Sequence, residues 1–336
     1  MKILIVKPSS FGDIVQALPV ATAIRRNWPD VEIHWLTFDA YEPLLRDHRA
    51  IDRLIILRRR DFRVTGWFRL WKWVQALRAE KYQMVLDLQG LLRSGILTWL
   101  TQAPLRLGLA SAREGSTLFY TETILEPPPP SQEKYLEFLR HLGIRPDPFA
   151  FDLDPPPLAI ASLEAGKYVV LHPYSRWRTK LWPWRYYQEV VNALPGVRFA
   201  VVGEGPWFPL HGENVLDLRG RLPLPQLMAV LKEAAAVVST DSGPAHLAAA
   251  LGTPTLALFG ATDWQKTRPI GRHVTVERYP APCSPCLKRK CPQKIPMICM
   301  SEITPSHVVR YLARRLGLSL PQPFPAESVQ VIDTIA

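Results

Sequence analysis

The sequence has 336 residues, of which 47% are hydrophobic and 21% are charged. A single hydrophobic core rarely grows beyond ~250 residues, so this length predicts two domains. The composition excludes a chain that is disordered throughout. The 41 Lys and Arg residues exceed the 30 Asp and Glu residues and give a formal net charge of +11. This charge predicts an anionic partner, which is a nucleic acid, a membrane surface or a phosphorylated substrate.

Neither a membrane-spanning helix nor a signal peptide is predicted. No segment reaches the roughly 20 apolar residues that a spanning helix needs. Lys7, Pro8 and Asp13 interrupt the apolar N-terminal segment, so we interpret it as the first strand of a cytoplasmic protein.

The first half of the chain alternates short apolar strands with helices. Strands are predicted at residues 2–7, 31–38, 52–57 and 82–90, and the first helix at residues 13–26. Such alternation is typical of a parallel sheet that helices cover on both faces.

Two proline-rich segments, at 127–130 and 146–157, flank a predicted helix at 133–144. Proline-rich sequence suits a semi-rigid connector between domains. The strand pattern then resumes at 168–173, 198–205, 235–243 and 253–260, and helices are predicted after residue 184 and from Pro225 and Pro244. We therefore predict two doubly wound, Rossmann-like α/β domains, residues 1–155 and 156–336, facing a central cleft that is lined by strand ends.

The segment STDSGPAHLAA (239–249) joins a predicted strand to a predicted helix. Pro244 suits the first helical position, because its missing N–H would have no partner there. The free N–H groups and the positive end of the helix dipole then form a phosphate site. In the alternative interpretation, Asp241 and Ser242 only cap the helix and His246 packs locally. The local sequence favours neither interpretation.

The segment HPYSRWRTKLWPW (172–184) follows another predicted strand. It places hydroxyls and cations just before a helix, an arrangement that can bind a diphosphate. Taken alone, the segment is more typical of a solvated basic loop.

The first loop, residues 9–13, places a carboxylate at the end of the first strand. Asp13 is either the N-cap of the following helix or a general base that faces a substrate hydroxyl. One residue is able to do both.

A basic run, residues 58–63, precedes a predicted helix that is rich in tryptophan, residues 67–74. Interleaved arginine and aromatic residues suit a membrane interface or a phosphorylated lipid headgroup. The alternative is a core-facing helix behind a solvated basic loop.

All four cysteines lie close together in the sequence, at Cys283, Cys286, Cys291 and Cys299. The first two have the CxxC spacing of structural zinc sites, but no second CxxC follows, so reduced thiols are the other interpretation. No Asp-x-Asp pair directly follows a predicted strand. We therefore predict no metal ion on a nucleotide diphosphate, and expect lysine and helix dipoles to meet its charge.

Together these motifs resemble glycosyltransferase family nine, the bacterial lipopolysaccharide heptosyltransferases. The resemblance extends from KILIVKPSSFGDIVQALP (2–19) through DLQGLLRS (87–94), the Lys180 loop and the segment 239–263 to the cysteine loop. Its most specific parts are the first loop and DSGPAHLAA. It implies a GT-B fold of two Rossmann-like domains, the first binding the acceptor and the second the donor.

The resemblance also implies roles for individual residues. Asp13 matches the proposed catalytic base of the family. The implied donor-binding residues are Ser175, Thr179, Lys180, Asp241, Ser242, Gly243 and His246. The implied acceptor-binding residues are Ser10, Gly12, Arg59, Arg60, Arg63 and Arg113.

The implied reaction is inverting transfer of heptose from ADP-L-glycero-D-manno-heptose to the inner core of lipopolysaccharide, with no cofactor. The acceptor is a heptose or Kdo, and the cysteine loop looks more like the type II enzymes. The implied location is the cytoplasmic face of the inner membrane, with a lipid-linked acceptor. No nucleic-acid partner is expected, because no nucleic-acid motif is present.

Two other function classes stay open at this point. One is a nucleotide-sugar epimerase on the same scaffold, which leaves the arginine run unexplained. The other is a non-catalytic protein that binds an anionic ligand.

Overall fold

The computed structural model describes residues 1–58, 67–294, 297–319 and 330–333, apart from the side chains of residues 67–70. The chain divides into two compact units, Met1–Asp154 (unit 1) and Pro155–Ala336 (unit 2). The boundary predicted after residue 155 lies one residue from this division. Each unit is built on a sheet of mainly parallel strands.

The sheet of unit 1 has the strand order β3-β2-β1-β4-β5-β6, with all neighbours parallel. Its strands are β1 (Lys2–Val6), β2 (Glu32–Phe38), β3 (Arg53–Leu57), β4 (Met84–Asp87), β5 (Leu105–Leu109) and β6 (Glu122–Ile124). Its described helices are α1 (Phe11–Asn27), α2 (Glu42–Leu45), α3 (Trp67–Ala79), α4 (Leu92–Leu100) and α5 (Glu133–His141).

The sheet of unit 2 has the strand order β13-β12-β11-β10-β7-β8-β9, and β13 is antiparallel to its neighbour. Its strands are β7 (Tyr168–His172), β8 (Arg198–Val201), β9 (Val215–Asp217), β10 (Ala236–Thr240), β11 (Thr255–Phe259), β12 (Val274–Arg278) and β13 (Gln330–Asp333). Its described helices are α6 (Trp184–Ala193), α7 (Leu224–Lys232), α8 (Gly243–Ala250), α9 (Trp264–Thr267), α10 (Ile298–Ser301) and α11 (Pro305–Leu316).

Both sheets reverse their strand order at one point, between β1 and β4 in unit 1 and between β7 and β10 in unit 2. Ligands of doubly wound sheets bind outside the carboxyl ends of the strands at such a point, because the two connections leave toward opposite faces. Asp13 follows β1 in the first turn of α1, and Gln89, Lys180 and Asp241 lie in the loops after the other three strands. Each unit therefore carries polar candidate residues at its own reversal point.

The predicted strands at 82–90, 198–205 and 235–243 are all too long, and the last of them, β10, ends at Thr240. β4 ends at Asp87, because the Asp87 carboxylate accepts hydrogen bonds from the N–H groups of Gln89 (2.9 Å) and Gly90 (3.1 Å). Gly90 also has a φ of +66°, a left-handed conformation that an extended strand excludes. β8 ends at Val201, two residues before Gly203, whose φ is +105°.

The helix predicted at 133–144 is present as α5, which ends at His141, but the interpretation of this region as a connector is wrong. α5 belongs to unit 1 and packs against α1. Its apolar face is fully buried, at Tyr135, Leu136, Phe138 and Leu139. Burial of this size stabilises a domain core and is not typical of a linker.

The aromatic helix of unit 1 has one side in the core. Val74 and Leu77 of α3 are buried and Trp73 packs beside Leu77, whereas Trp71 is 57% exposed. The core-facing interpretation is therefore correct for this part of α3. No described helix combines the length and the hydropathy needed to cross a bilayer.

Candidate active site

The loop after β1 holds the Asp13 carboxylate in one orientation. Ser10 is the N-cap of α1 and Asp13 is the third helical residue, so Asp13 is not the N-cap. Asp13 Oδ2 accepts hydrogen bonds from the Ser10 hydroxyl at 2.6 Å and from the Ser10 N–H at 3.3 Å. The Tyr135 hydroxyl donates to Asp13 Oδ1 at 3.3 Å. Both carboxylate oxygens are thus engaged, one of them through a capping-box contact.

The surroundings of Asp13 keep it ionised. Burial favours the neutral acid, but the Lys7 ammonium and the hydrogen bonds from Ser10 outweigh burial and lower the pKa of Asp13 to about 2. Lys7 is itself 3% exposed, and burial lowers its pKa to about 8, against the opposite effect of Asp13. At neutral pH the pair is mainly a carboxylate and an ammonium. An ionised carboxylate is the form that a general base requires.

Gln89 joins the loop after β4 to the loop after β1. Its Oε1 accepts hydrogen bonds from Lys7 Nζ at 3.2 Å and from the Ser9 N–H at 3.3 Å. The Gln89 loop is fixed by Asp87, whose second oxygen accepts a hydrogen bond from the Tyr120 hydroxyl at 2.8 Å. Asp87 is fully buried, and this burial raises its pKa. The two loops therefore form one hydrogen-bonded unit beside Asp13.

Sequence reasoning missed three residues of this cluster: Lys7, Gln89 and Tyr135. A signal for Lys7 and Gln89 was present, because both are polar residues just past the carboxyl ends of β1 and β4. Tyr135 gave no such signal. It reaches Asp13 only through the packing of α5 on α1, 122 positions away in sequence.

Three of the predicted acceptor residues lie at this edge of the sheet. Ser10 and Gly12 belong to the loop and first turn after β1. The Arg113 backbone N–H donates to the Gly90 carbonyl at 2.9 Å, which places the exposed Arg113 beside the loop after β4. The remaining three predicted acceptor residues, Arg59, Arg60 and Arg63, lie outside the described residues.

In unit 2, Lys180 and Asp241 join the loops after β7 and β10. Lys180 Nζ lies 2.7 Å from Asp241 Oδ2, and the Thr262 hydroxyl donates to the same oxygen at 2.6 Å. The Ser175 hydroxyl donates to the Asp241 backbone carbonyl at 3.2 Å. The side chains of Lys180 and Asp241 are only 17% and 6% exposed, so solvent screens their attraction weakly.

The Ser242 side chain points toward a buried histidine. Ser242 Oγ lies 3.1 Å from His172 Nδ1 and 3.0 Å from Ser239 Oγ. Burial lowers the pKa of His172 to about 4, so its ring is neutral at neutral pH. Ser242 is the N-cap of α8 by backbone position, but its side chain makes no capping hydrogen bond. Since Asp241 contacts Lys180, the interpretation of both residues as mere helix caps is wrong.

The start of α8 has the features of an anion site. Gly243 is its first residue and Pro244 the second, so α8 begins one residue before the predicted start at Pro244. The backbone N–H groups of a first helical turn lack partners within the helix, and the helix dipole is positive there. With Lys180 on the neighbouring loop, this end of α8 is suited to a phosphate.

Thr179 and His246 are both buried. The Thr179 hydroxyl donates to the Lys288 carbonyl at 2.6 Å, so it ties the Lys180 loop to the cysteine loop. His246 lies in the interior of α8. Donor contacts by these two residues stay predictions.

The four cysteines are free thiols. Cys299 is buried, and its burial and the three other cysteines raise its pKa to about 11. Among the described residues, the potential ligand atoms that lie within 4.8 Å of one another belong to Glu32, His34 and Glu80, at the other end of the unit 1 strands. Lys2 already contacts both glutamates of that group, at 3.3 and 2.9 Å. The cysteine sulfurs do not form a preassembled set of ligands.

Known proteins are similar to this chain in sequence and in fold. The model of glycosyltransferase family 9 (heptosyltransferase) matches residues 70–202 and 209–295. The chain belongs to glycosyltransferase family 9. Lipopolysaccharide heptosyltransferase 1 of Pseudomonas aeruginosa is 33% identical over 316 residues, which cover 87% of each chain. The Escherichia coli heptosyltransferase WaaC with ADP has a TM-score of 0.75 and 25% identity, covering 94% of this chain and 100% of that one.

A second structure of that Escherichia coli enzyme, with ADP-2-deoxy-2-fluoro heptose, has a TM-score of 0.71 and 25% identity over 94% of this chain and 99% of that one. Family membership makes this chain a glycosyltransferase with the GT-B fold, acting on a nucleotide-sugar donor. It favours the transferase over the epimerase and over the non-catalytic binding protein. The Pseudomonas relative is of type 1, and the predicted likeness to type II stays a prediction.

Replacing Lys7 tests the origin of the low pKa of Asp13. We expect Lys7→Met to raise that pKa toward its ordinary value near ~3.9, because burial is then opposed only by the Ser10 hydrogen bonds and the weaker attraction of Lys134. The acidic limb of kcat/KM for glycosyl transfer should therefore move to higher pH. Activity is lost when the carboxylate is protonated, so the limb follows the pKa upward.

The control is Lys81→Met, an exposed lysine of unit 1. Its acidic limb should coincide with that of the unmodified protein. Coincident acidic limbs in all three proteins would contradict the role of Lys7.

Proposed function

We propose that this chain transfers heptose from ADP-L-glycero-D-manno-heptose to the inner core of lipopolysaccharide, with inversion at the anomeric carbon. The observation that carries the proposal is the pair of polar clusters at the reversal points of the two sheets. One contains an ionised, positioned carboxylate and the other contains a cation beside a helix N-terminus. The similarity to an enzyme solved with ADP and with an ADP-heptose analogue supports the identity of the donor.

In this proposal unit 2 binds the donor. Lys180 and the first turn of α8 contact the diphosphate, whose negative charge grows as the sugar departs. Thr262 keeps a hydrogen bond to Asp241, so Asp241 stays fixed when the Lys180 ammonium turns to the diphosphate. Ser175, Thr179, Ser242, Gly243 and His246 complete the proposed donor residues. No metal ion and no cofactor takes part.

Unit 1 binds the acceptor in this proposal. Asp13 accepts the proton of the acceptor hydroxyl as that hydroxyl attacks the anomeric carbon from the face opposite ADP. The transition state resembles an oxocarbenium ion, and ADP leaves with the electron pair of the cleaved bond. Arg113, which lies at the same edge, contacts the anionic acceptor. Arg59, Arg60 and Arg63 are further proposed acceptor-binding residues. The acceptor sugar is a heptose or Kdo.

Replacing Asp13 separates catalysis from donor binding. We expect Asp13→Asn to lower kcat by ~100 to 10,000-fold, because general-base loss has this cost. Its affinity for ADP should stay within a few-fold, since Asp13 acts on the acceptor proton. The measurement is steady-state kinetics with ADP-heptose and a de-acylated core acceptor, together with calorimetry for ADP.

Tyr135→Phe is the matched control, because it removes a hydrogen bond to Asp13 and leaves the carboxylate. A much smaller loss of kcat is expected for it. An Asp13→Asn enzyme within a few-fold of full activity would show that Asp13 is structural.

Replacing Lys180 tests the donor site. We expect Lys180→Gln to weaken ADP binding and to lower kcat, because an ammonium that contacts the leaving group acts on both. Lys266→Gln is the matched control, since Lys266 is exposed and lies 4.0 Å from Asp263 in another Lys–Asp pair. Unchanged ADP affinity and turnover in a Lys180→Gln protein with an unchanged melting temperature would contradict this role.

We further propose that unit 1 binds the surface of an anionic membrane through α4. Leu92, Ile96 and Trp99 lie four and three positions apart, so they share one face of this helix. All three are exposed, and Leu118, 85% exposed, lies on the adjoining turn, where Phe119 contacts Trp99 with ring centroids 6.4 Å apart. An apolar surface of this kind enters a bilayer interface.

Charge favours an anionic surface over a neutral one. Arg93 and Arg113 are exposed beside this apolar face, and the whole chain carries a formal charge of +11. Basic residues near an anionic bilayer each contribute about 1 kcal/mol of attraction. Binding of the membrane through α4 would bring Arg113, and the edge of the sheet beside it, close to a lipid-linked acceptor.

The double variant Ile96→Ser with Trp99→Ser tests the membrane surface. Burial of one large apolar side chain is worth about 1.5–3 kcal/mol, so we expect about tenfold or more weaker binding to vesicles of phosphatidylcholine and phosphatidylglycerol. Sedimentation with these vesicles measures the change. Turnover of the de-acylated acceptor should be unaffected.

Trp207→Ser is the matched control, because Trp207 is a 71% exposed tryptophan of unit 2. It should bind vesicles as the unmodified protein does. Equal binding by the double variant would place the membrane contact elsewhere.

A further inference from the structure

Unit 2 has a cavity of about 460 Å³ between β12, β13 and α11. This volume lies in the range of small-ligand sites, about 300–1,000 Å³. None of the proposed donor residues lines it. β11 separates β12 from β10, the strand that leads to Asp241. The cavity is therefore distinct from the site at the reversal point.

The charged residues around the cavity are mostly arginines. Four arginines and two carboxylates leave a formal charge of +2 from these six side chains, which are Arg272, Arg310, Arg314, Arg315, Glu277 and Asp333. Guanidinium groups bind phosphate through pairs of parallel hydrogen bonds. A phosphate monoester carries about −1.5 to −2 at neutral pH, which matches this charge.

The inner wall holds a buried acceptor atom. Glu277 is 2% exposed, and its Oε1 lies 3.6 Å from His307 Nδ1. Among the described residues, its second oxygen, Oε2, has no hydrogen-bond partner. A buried carboxyl oxygen without a partner is costly and calls for a donor from water or a ligand. A hydroxyl group of a ligand would supply that donor.

Two further polar side chains support the same chemistry. Burial raises the pKa of Tyr311 to about 12, against the opposite effect of Arg315, so its hydroxyl keeps its proton at neutral pH. The Thr275 hydroxyl donates to Asp333 Oδ1 at 2.7 Å and ties β12 to β13. The cavity thus combines cations, a hydroxyl donor and a buried acceptor.

We propose that this cavity is a second ligand site, for the phosphate monoester of a polyol such as a sugar phosphate. The arginines bind the phosphate, and a hydroxyl of the polyol donates to Glu277 Oε2. The proposal does not depend on the identity of the donor or of the acceptor.

Calorimetry of the full chain with ribose 5-phosphate tests the proposal, with ADP at saturation so that the proposed donor site is occupied. We expect binding at one site. The double variant Arg314→Gln with Arg315→Gln should weaken it at least about tenfold, because one charge-assisted hydrogen bond accounts for roughly that change. Lys232→Gln, an exposed cation of unit 2 away from the cavity, should leave it unchanged.

A second comparison tests the buried acceptor. Ribose 5-phosphate should bind more tightly than inorganic phosphate. Glu277→Met should reduce this difference in affinity, because it removes the oxygen that accepts a hydrogen bond from the sugar hydroxyl. Melting temperatures of each variant show whether the fold is intact.

Three outcomes would overturn the proposal. They are no binding of ribose 5-phosphate, equal binding by the arginine double variant, and binding to phosphatidic acid vesicles without binding of the soluble ester. The last outcome would assign the cavity to a lipid headgroup. Heptosyl transfer, measured in parallel, should be unchanged in the arginine double variant, so a failure here is distinct from a failure of the proposed function.

Discussion

Burial of parallel strands on both faces decides where this protein keeps its polar chemistry. β1, β7 and β10 are enclosed by helices on both sides of their sheets, and nearly all of their residues are buried. A polar group in the middle of such a strand would lose water without gaining a partner. Polar residues therefore collect just past the carboxyl ends, and the reversal of strand order opens space there. The two units satisfy this constraint independently and with different chemistry.

In the cluster of unit 1, two titratable groups, Lys7 and Asp13, shift the pKa values of each other. Lys7 loses water on burial, which lowers its own pKa, and its remaining charge keeps Asp13 ionised. A base with so low a pKa is weak in the resting protein, but it is available over the whole physiological pH range. Its orientation is fixed by Ser10 and Tyr135. The surrounding residues therefore position the Asp13 carboxylate and keep it ionised, but they do not make it a stronger base.

In the cluster of unit 2, the buried histidine does not change its charge near neutral pH. His172 is neutral because it is buried, so it fixes the Ser242 hydroxyl without adding charge next to α8. The available positive charge comes from Lys180 and from the helix N-terminus. Lys180 is held by Asp241 at 2.7 Å, so a bound diphosphate has to compete with one carboxylate for the ammonium. Removal of one member of such a mostly buried pair leaves the other uncompensated, which links donor binding to the local stability of these two loops.

The sequence by itself determined the α/β alternation, the start of α8 to within one residue, and the polar segments after β1, β7 and β10, because these follow from apolar periodicity and from local helix-start chemistry. It overestimated β4, β8 and β10, since apolar periodicity does not show where a turn begins. The Asp87 carboxylate ends β4 through the N–H groups of Gln89 and Gly90, and a positive φ at Gly203 follows β8. It placed α5 in a connector, because the nearby prolines are visible in the local sequence. The burial of one face of α5 depends on its packing against α1, which is distant in sequence. Only the tertiary structure decided that Tyr135, Gln89 and Lys7 meet around Asp13, and that Thr262 and Lys180 meet on Asp241. Apart from the neighbours Lys7 and Asp13, these contacts join residues 21 to 122 positions apart. Patterns within a short stretch of sequence cannot predict such contacts, because the packing of the whole fold sets them.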